Sequence, residues 1–273
     1  MFGNDDYLIR AYGNCPAFPK KTPDWSKSQE FAVKEAEVAG LLQLLSRNLK
    51  QNVTLTDFYN IYDDLQTQRD ASLQALQAGT VTYDDVIWAQ VLNTADWLEA
   101  NRYSRRFAKN LCGGTLISEV LIRLKAAAVN SQPAAERLIE YSAHYPILMC
   151  ILASIPDLDL VPRPLTSKIP NYGAALIFEL HSSLGVDDTM WAVSLQQQDG
   201  SAAEYVTVEL PCASPTALQI VGGHSACMLK DFQELVAPEQ FKWQSKWCTA
   251  CNNTAMPACY RARNLPETDR PST

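Results

Sequence analysis

Glu140-Tyr141-Ser142-Ala143-His144-Tyr145-Pro146 lies between two apolar runs, Leu138-Ile139 before it and Ile147-Leu148-Met149 with Ile151-Leu152 after it. The pattern predicts a buried strand that ends in a histidine, followed by a helix that starts at a proline. His144 then falls at the carboxyl end of a strand, where open α/β sheets place their ligands. The N-terminus of the next helix favours an anion at the same spot. The stretch therefore has the chemistry of one half of a phosphate site, and the reading of the rest of the chain follows from asking where the other half is.

Working outward, residues 1–25 are irregular, with Pro16, Pro19 and Pro23 and a tight Gly13-Asn14. Ser26-Lys27-Ser28-Gln29 resembles a capping box. A helix of good formers is expected behind it to about Asn48, with Phe31, Val38, Leu41, Leu42 and Leu45 on one side. Phe58, Ile61, Tyr62 and Leu65 follow helical spacing in a second helix, with the polar stretch 66–79 expected to continue it. Thr82-Tyr83-Asp84-Asp85 caps a third, with Trp88, Val91, Leu92 and Ala95 inward. After Leu111 the pattern changes. Gly113-Gly114 is expected to open a helix, Pro133 to break it, and the strand to His144 to follow. Residues 174–181 read as a strand, and Trp191, Val193 and Leu195 as a half-buried one. Asp199-Gly200 turns it into a return strand at Val206, Val208 and Leu210, and a short helix runs from Asp231 to Val236. The organisation expected is a helical domain with its irregular lead-in at 1–110, an α/β domain at 111–245 and a cysteine-containing tail at 246–273.

The net charge of −7 argues against nucleic acid as a partner. No apolar run is long enough for a transmembrane helix, and the first residues have neither the basic nor the apolar region of a signal peptide. Five of the eight cysteines fall in the last quarter, among Pro, Asn, Ser and Thr, a setting for disulfides. Asn52-Val53-Thr54 and Asn252-Asn253-Thr254 are glycosylation sequons. Cys248-x-x-Cys251 is weak as a zinc motif without a second pair or a nearby histidine, so no metal and no cofactor is expected. No Gly-x-Ser-x-Gly elbow occurs, which removes a serine nucleophile of that type. His181 and His224 sit in polar contexts and are expected at a solvated surface, as are Arg105-Arg106 and Arg261/Arg263.

Six segments in order carry a resemblance: YLIRAYGNCPAF at 7–18, CGGTLISEVL at 112–121, YSAH at 141–144, NYGAALIFEL at 171–180, ELPC at 209–212 and CMLKDFQELV at 227–236. Together they resemble the histidine acid phosphatases of the secretory pathway, of the prostatic and lysosomal type. The resemblance implies a parallel sheet flanked by helices with a mostly helical cap domain. It implies Cys15 paired with Cys248 or Cys251, and Cys212 with Cys227. The family's third bridge falls on Thr67 and Ala175, where both cysteines are absent together. Cys112, Cys150, Cys259 and the remaining one of Cys248 and Cys251 stay unassigned.

The resemblance also implies phosphomonoester hydrolysis through a phosphohistidine. A histidine in Arg-His-Gly-x-Arg-x-Pro attacks phosphorus, arginines clamp the phosphoryl oxygens, a second histidine adds a hydrogen bond, and the acid residue after it protonates the leaving alcohol. His144 matches the second histidine. Tyr145 stands where that acid belongs, and a phenol of ordinary pKa near 10 is a poor donor at acidic pH. No Arg-His-Gly occurs in the sequence. The expectations are therefore an N-terminally incomplete copy without the first strands of its sheet, inactive by itself, or a pseudophosphatase that keeps a phosphate pocket. The partner expected is a small-molecule or protein phosphomonoester, with a homodimer as an allowed assembly. The location expected for the complete protein is the secretory pathway, extracellular or lysosomal.

Overall fold

The structure, a computed structural model, describes residues 6–18, 25–75, 83–129, 137–156, 158, 167–184, 189–200, 203–212, 219–221, 224–241, 244–257 and 259–260. The chain divides into two compact units. One comprises Lys20–Arg102 with Ser167–Ile169, the other Met1–Pro19, Tyr103–Thr166 and Pro170–Thr273. The first part of the lead-in, Met1–Pro19, thus belongs to the unit that holds the sheet, and the rest to the helical unit.

The helical unit contains α2 (Gln29–Glu37), α3 (Ala39–Leu49), α4 (Phe58–Ala75) and α5 (Asp85–Arg102). Ser28 is the cap that forms, its Oγ accepting the Phe31 N–H at 3.2 Å. The single helix expected over this stretch is divided at Val38, which turns to φ −95° and ψ 6°. Asp84 caps α5 by accepting the Ile87 N–H at 2.8 Å. Phe58, Ile61 and Leu65 of α4 and Trp88, Val91, Ala95 and Leu98 of α5 are buried, as helical periodicity requires. Trp25 packs edge-on against Phe31 at 5.1 Å and, tilted, against Trp97 at 5.2 Å. The expected end of the second helix at Gly79 and the Thr82 cap lie outside the described residues.

The other unit starts with the short helix α1 (Ala11–Asn14), then has α6 (Arg105–Val129), α7 (Tyr145–Ala153), five strands, α8 (Leu229–Val236) and α9 (Gln244–Ala250). Gly113-Gly114 does not open a helix, because α6 runs through both glycines. Gly113 is there for space. A Cβ on it would overlap the Cys150 carbonyl oxygen and Ser154 Oγ, so α6 and α7 approach to backbone contact. Cys112 and Cys150 bridge the same pair of helices. Helix α7 is buried along nearly its whole length, including Ile147, Met149, Ile151 and Leu152.

Residues 138–144 do not form the expected strand. His144 is extended (φ −107°, ψ 160°), but no described strand pairs with the segment. Leu138 is 84% exposed, against the burial its apolar character predicts. The described sheet runs β1 (Ala175–Leu184), β2 (Thr189–Gln198), β5 (His224–Met228), β4 (Gln219–Val221), with β3 (Val206–Val208) also on β2. Every described pairing is antiparallel, where a parallel sheet was expected. For β2 and β3 the reason is local: Asp199-Gly200, with Gly200 at φ 102°, begins the short connection that returns the chain antiparallel. Val208 then faces Leu195. Strand β2 is buried on both faces from Ala192 to Gln197 rather than on one, and it is the central strand, with β1 on one edge and β5 with β3 on the other. Phe178 meets Phe232 of α8 at 6.0 Å on one face.

The tail is tied in rather than trailing. Trp247 is fully buried and donates from Nε1 to the Leu111 carbonyl at 2.8 Å. Asn253 is buried; its Nδ2 donates to the Asn14 carbonyl at 2.6 Å and its Oδ1 accepts the Ala255 and Met256 N–H groups. Asn253→Ala removes the partner of three backbone groups, of which the Met256 N–H is buried, and is expected to cost about 1–3 kcal/mol by urea denaturation, while leaving the Asn252 sequon intact. Residues 261–273 lie outside the described residues.

Candidate functional site

His144 is the residue before the first turn of α7, with Pro146 in that turn, where its fixed φ suits a helix start. The imidazole is exposed, and its Nε2 lies 2.9 Å from Nη2 of Arg10. A guanidinium only donates, so Nε2 of His144 is the acceptor in this contact. Among the described residues no carboxylate pairs with Arg10. The geometry thus sets a cation and a titratable ring side by side, open to solvent, at the amino end of a helix. This is a place where an anion is stabilised by charge and by the peptide dipoles together.

Arg10 is the residue that the sequence reading passed over. It is held from several directions. Asp6 Oδ1 accepts the Leu8 and Ile9 N–H groups at 2.7 and 3.0 Å, Asn14 Nδ2 donates to the Asp6 carbonyl at 3.0 Å, and Thr115 Oγ1 donates to the Tyr7 carbonyl at 2.8 Å. Behind it, Cys15 is bonded to Cys251 and the Ala17 N–H reaches the Cys251 carbonyl at 3.1 Å. The only sequence signal for Arg10 was its place in the 7–18 segment beside Asn14-Cys15-Pro16.

Tyr145 is half-buried. Its ring meets Tyr103 edge-on at 6.5 Å; Tyr103 in turn stacks on Phe18 at 5.7 Å and meets Tyr12 edge-on at 6.2 Å. The phenol of Tyr12 is pushed up by burial, an effect that the nearby Arg10 charge opposes. Tyr145 thus stands in an aromatic cluster. On the other flank, Glu119 holds Arg123 at 2.7 Å and accepts from Tyr141 Oη at 3.4 Å. Burial first, and the Glu119 charge second, raise the phenols of Tyr141 and Tyr7, so both stay neutral donors at acidic and neutral pH.

His181 is half-buried rather than fully solvated. Its Nε2 is 2.8 Å from the fully buried Ser194 Oγ, which donates to Glu179 Oε2 at 3.2 Å, and Gln196 donates to the same oxygen. These groups join β1 to β2. The side chain of His224 and residues Arg261 and Arg263 lie outside what is described. Cys15 takes Cys251, not Cys248; Cys248 takes Cys259, Cys212 takes Cys227, and Cys112 takes Cys150, which leaves no free thiol. With Cys248 and Cys251 both in disulfides, their C-x-x-C spacing is not a zinc site. Among the described residues no three His, Cys, Asp or Glu side chains gather to hold a metal. Asn52 and Asn252 are both exposed, Asn252 in the left-handed region at φ 51°. No helix of the described residues is long and apolar enough to cross a membrane.

These features define a disulfide-bridged protein of mixed helix and antiparallel sheet, with an arginine–histidine pair exposed at a helix start. No family model matches the chain. The chain is similar to the lysosomal acid phosphatase of Xenopus laevis, 24% identical over 244 residues. The similarity covers 86% of this chain and 50% of that protein, so the chain spans about half the length of the relative it matches. At this identity the relationship is to acid phosphatase-like proteins in a distant sense.

Proposed function

We propose that Arg10 and His144 form one side of a phosphate site, and that the whole protein is a phosphomonoesterase-like member of the secretory pathway or lysosome. The observation that carries this reading is the 2.9 Å Arg10–His144 contact at the start of α7. The similarity to lysosomal acid phosphatase points the same way, as do four disulfides that suit an oxidising compartment. The substrate class is a small-molecule or protein phosphomonoester. The 273 residues offer no Arg-His-Gly to attack phosphorus, so binding without turnover is the activity proposed for them.

A second reading is favoured by Tyr145, whose ring is placed in the Tyr103 cluster and offers no acid at the expected position. On this reading the whole protein binds phosphomonoesters and does not hydrolyse them. Hydrolysis of p-nitrophenyl phosphate by the full-length form at acidic pH separates the two. Where a nucleophile is present, Tyr145→Asp is expected to raise the rate about 10²–10⁴-fold, the usual worth of a general acid. Full activity with Tyr145 in place would remove the second reading.

A further inference from the structure

The sequon Asn52-Val53-Thr54 lies at the lip of a shallow groove on α3, in the helical unit. The groove holds about 420 Å³ and is lined by Leu42, Gln43, Ser46, Arg47, Asn52 and Val53. Its floor is apolar, Leu42 and Val53 being 8% and 5% exposed. Its walls are polar: Gln43 and Arg47 are one helical turn apart and both exposed. We infer that Asn52 carries an N-linked glycan whose first N-acetylglucosamine lies in this groove. The sugar's apolar face and acetyl methyl cover Leu42 and Val53, and its hydroxyl and amide groups meet Gln43 and Arg47.

The placement of Asn52 is fixed by its neighbours. Ser46 Oγ donates to the Leu42 carbonyl at 2.7 Å and accepts the Val53 N–H at 3.0 Å, which clamps the sequon backbone to α3. Lys50, in the left-handed region at φ 53°, turns the chain back over the helix. Thr54 Oγ1 donates to Asp57 Oδ2 and accepts the Asp57 N–H, which sets the far end of the sequon. The asparagine amide therefore starts at the groove, and a sugar joined to it needs little ordering to settle there. The inference rests on passage through the secretory pathway, part of the function proposed above.

The test expresses the chain behind a supplied signal peptide in a host that makes only high-mannose glycans, with Asn252→Gln so that Asn52 is the remaining site. Mass spectrometry is expected to find the glycan on Asn52. Endoglycosidase H leaves one N-acetylglucosamine; peptide-N-glycosidase F hydrolyses the side-chain amide, leaves none and turns Asn52 into aspartate, so unglycosylated Asn52→Asp and Asn52→Gln proteins measure the effect of that charge. The first product is expected to melt with the intact glycoprotein, and the second about 2–4 °C lower, the shift for about 1 kcal/mol in a protein of this size. Gln43→Ala with Arg47→Ala is expected to shrink that gap while leaving the glycan in place. An unmodified Asn52 in the secreted protein, or identical melting of the two digested forms, overturns the inference. Phosphate stabilisation through Arg10 and His144, measured on the same samples, reports on the phosphatase reading separately.

Discussion

Gly113→Ala is expected to destabilise the sheet-bearing unit by about 3 kcal/mol or more, at the upper end of what overpacking costs. The sign is the opposite of the general rule, by which alanine in place of a helix glycine gains up to about 1 kcal/mol. Here a Cβ would overlap the Cys150 carbonyl and Ser154 Oγ. That carbonyl has little freedom to retreat. It accepts both the Ser154 N–H at 3.0 Å and Ser154 Oγ at 2.8 Å, and its own residue is bonded to Cys112. Gly40→Ala is the control, because nothing lies within 4 Å of a Cβ there and the propensity gain is unopposed. Urea denaturation of both variants should give shifts of opposite sign. A Gly113→Ala protein as stable as the parent would mean that α6 and α7 are further apart than described.

Replacing Cys15 and Cys251 together by serine is the second large effect. The two residues are 236 apart in sequence. Chain-entropy reasoning for a loop of that size sets a ceiling of about 5 kcal/mol, and native disulfides typically give about 2–5 kcal/mol. The paired loss of Cys248 and Cys259, 11 residues apart, is expected to cost less. The long bridge also bears on the site. It anchors the lead-in that carries Arg10, whereas the short one closes a loop within the tail. The Cys15→Ser/Cys251→Ser protein is therefore expected to lose phosphate stabilisation as well as melting temperature. The Cys248→Ser/Cys259→Ser protein is expected to keep the former. Equal phosphate responses in the two would detach Arg10 from the disulfide frame.

The helices were legible where an apolar face repeats at helical spacing, as with Phe58, Ile61 and Leu65, because burial on one side is a local pattern. The reversal after β2 was legible for a related reason: Asp199-Gly200 is local turn chemistry, with Gly200 at φ 102°. The stretch 138–144 shows the limit. Its backbone is extended at His144, as read, but a strand is a relation to a neighbour, and no described strand pairs with it. Gly113-Gly114 was read as punctuation when its use is contact with a helix some forty residues on, a distance that local signals do not report. The disulfide pairs were only partly legible, since connectivity is a property of the folded chain. Cys112 and Cys150 lie on two buried helix segments that nothing in composition joins.

The site divides in the same manner. His144 could be singled out because an apolar strand pattern, a histidine and a proline-started helix occur together. Arg10 could not, because its partner lies 134 residues away and its own surroundings are an irregular, proline-containing lead-in. Tyr145 was identified as out of place for an acid; that it sits against Tyr103 needed the fold.

The central claim is that Arg10 and His144 together bind phosphate, and phosphate titration at acidic pH, followed by thermal unfolding, tests it most directly. The parent chain should be stabilised by inorganic phosphate, and Arg10→Ala and His144→Ala should each lose most of that stabilisation while melting near the parent without phosphate. Stabilisation that survives both substitutions, or none in the parent, would contradict the claim.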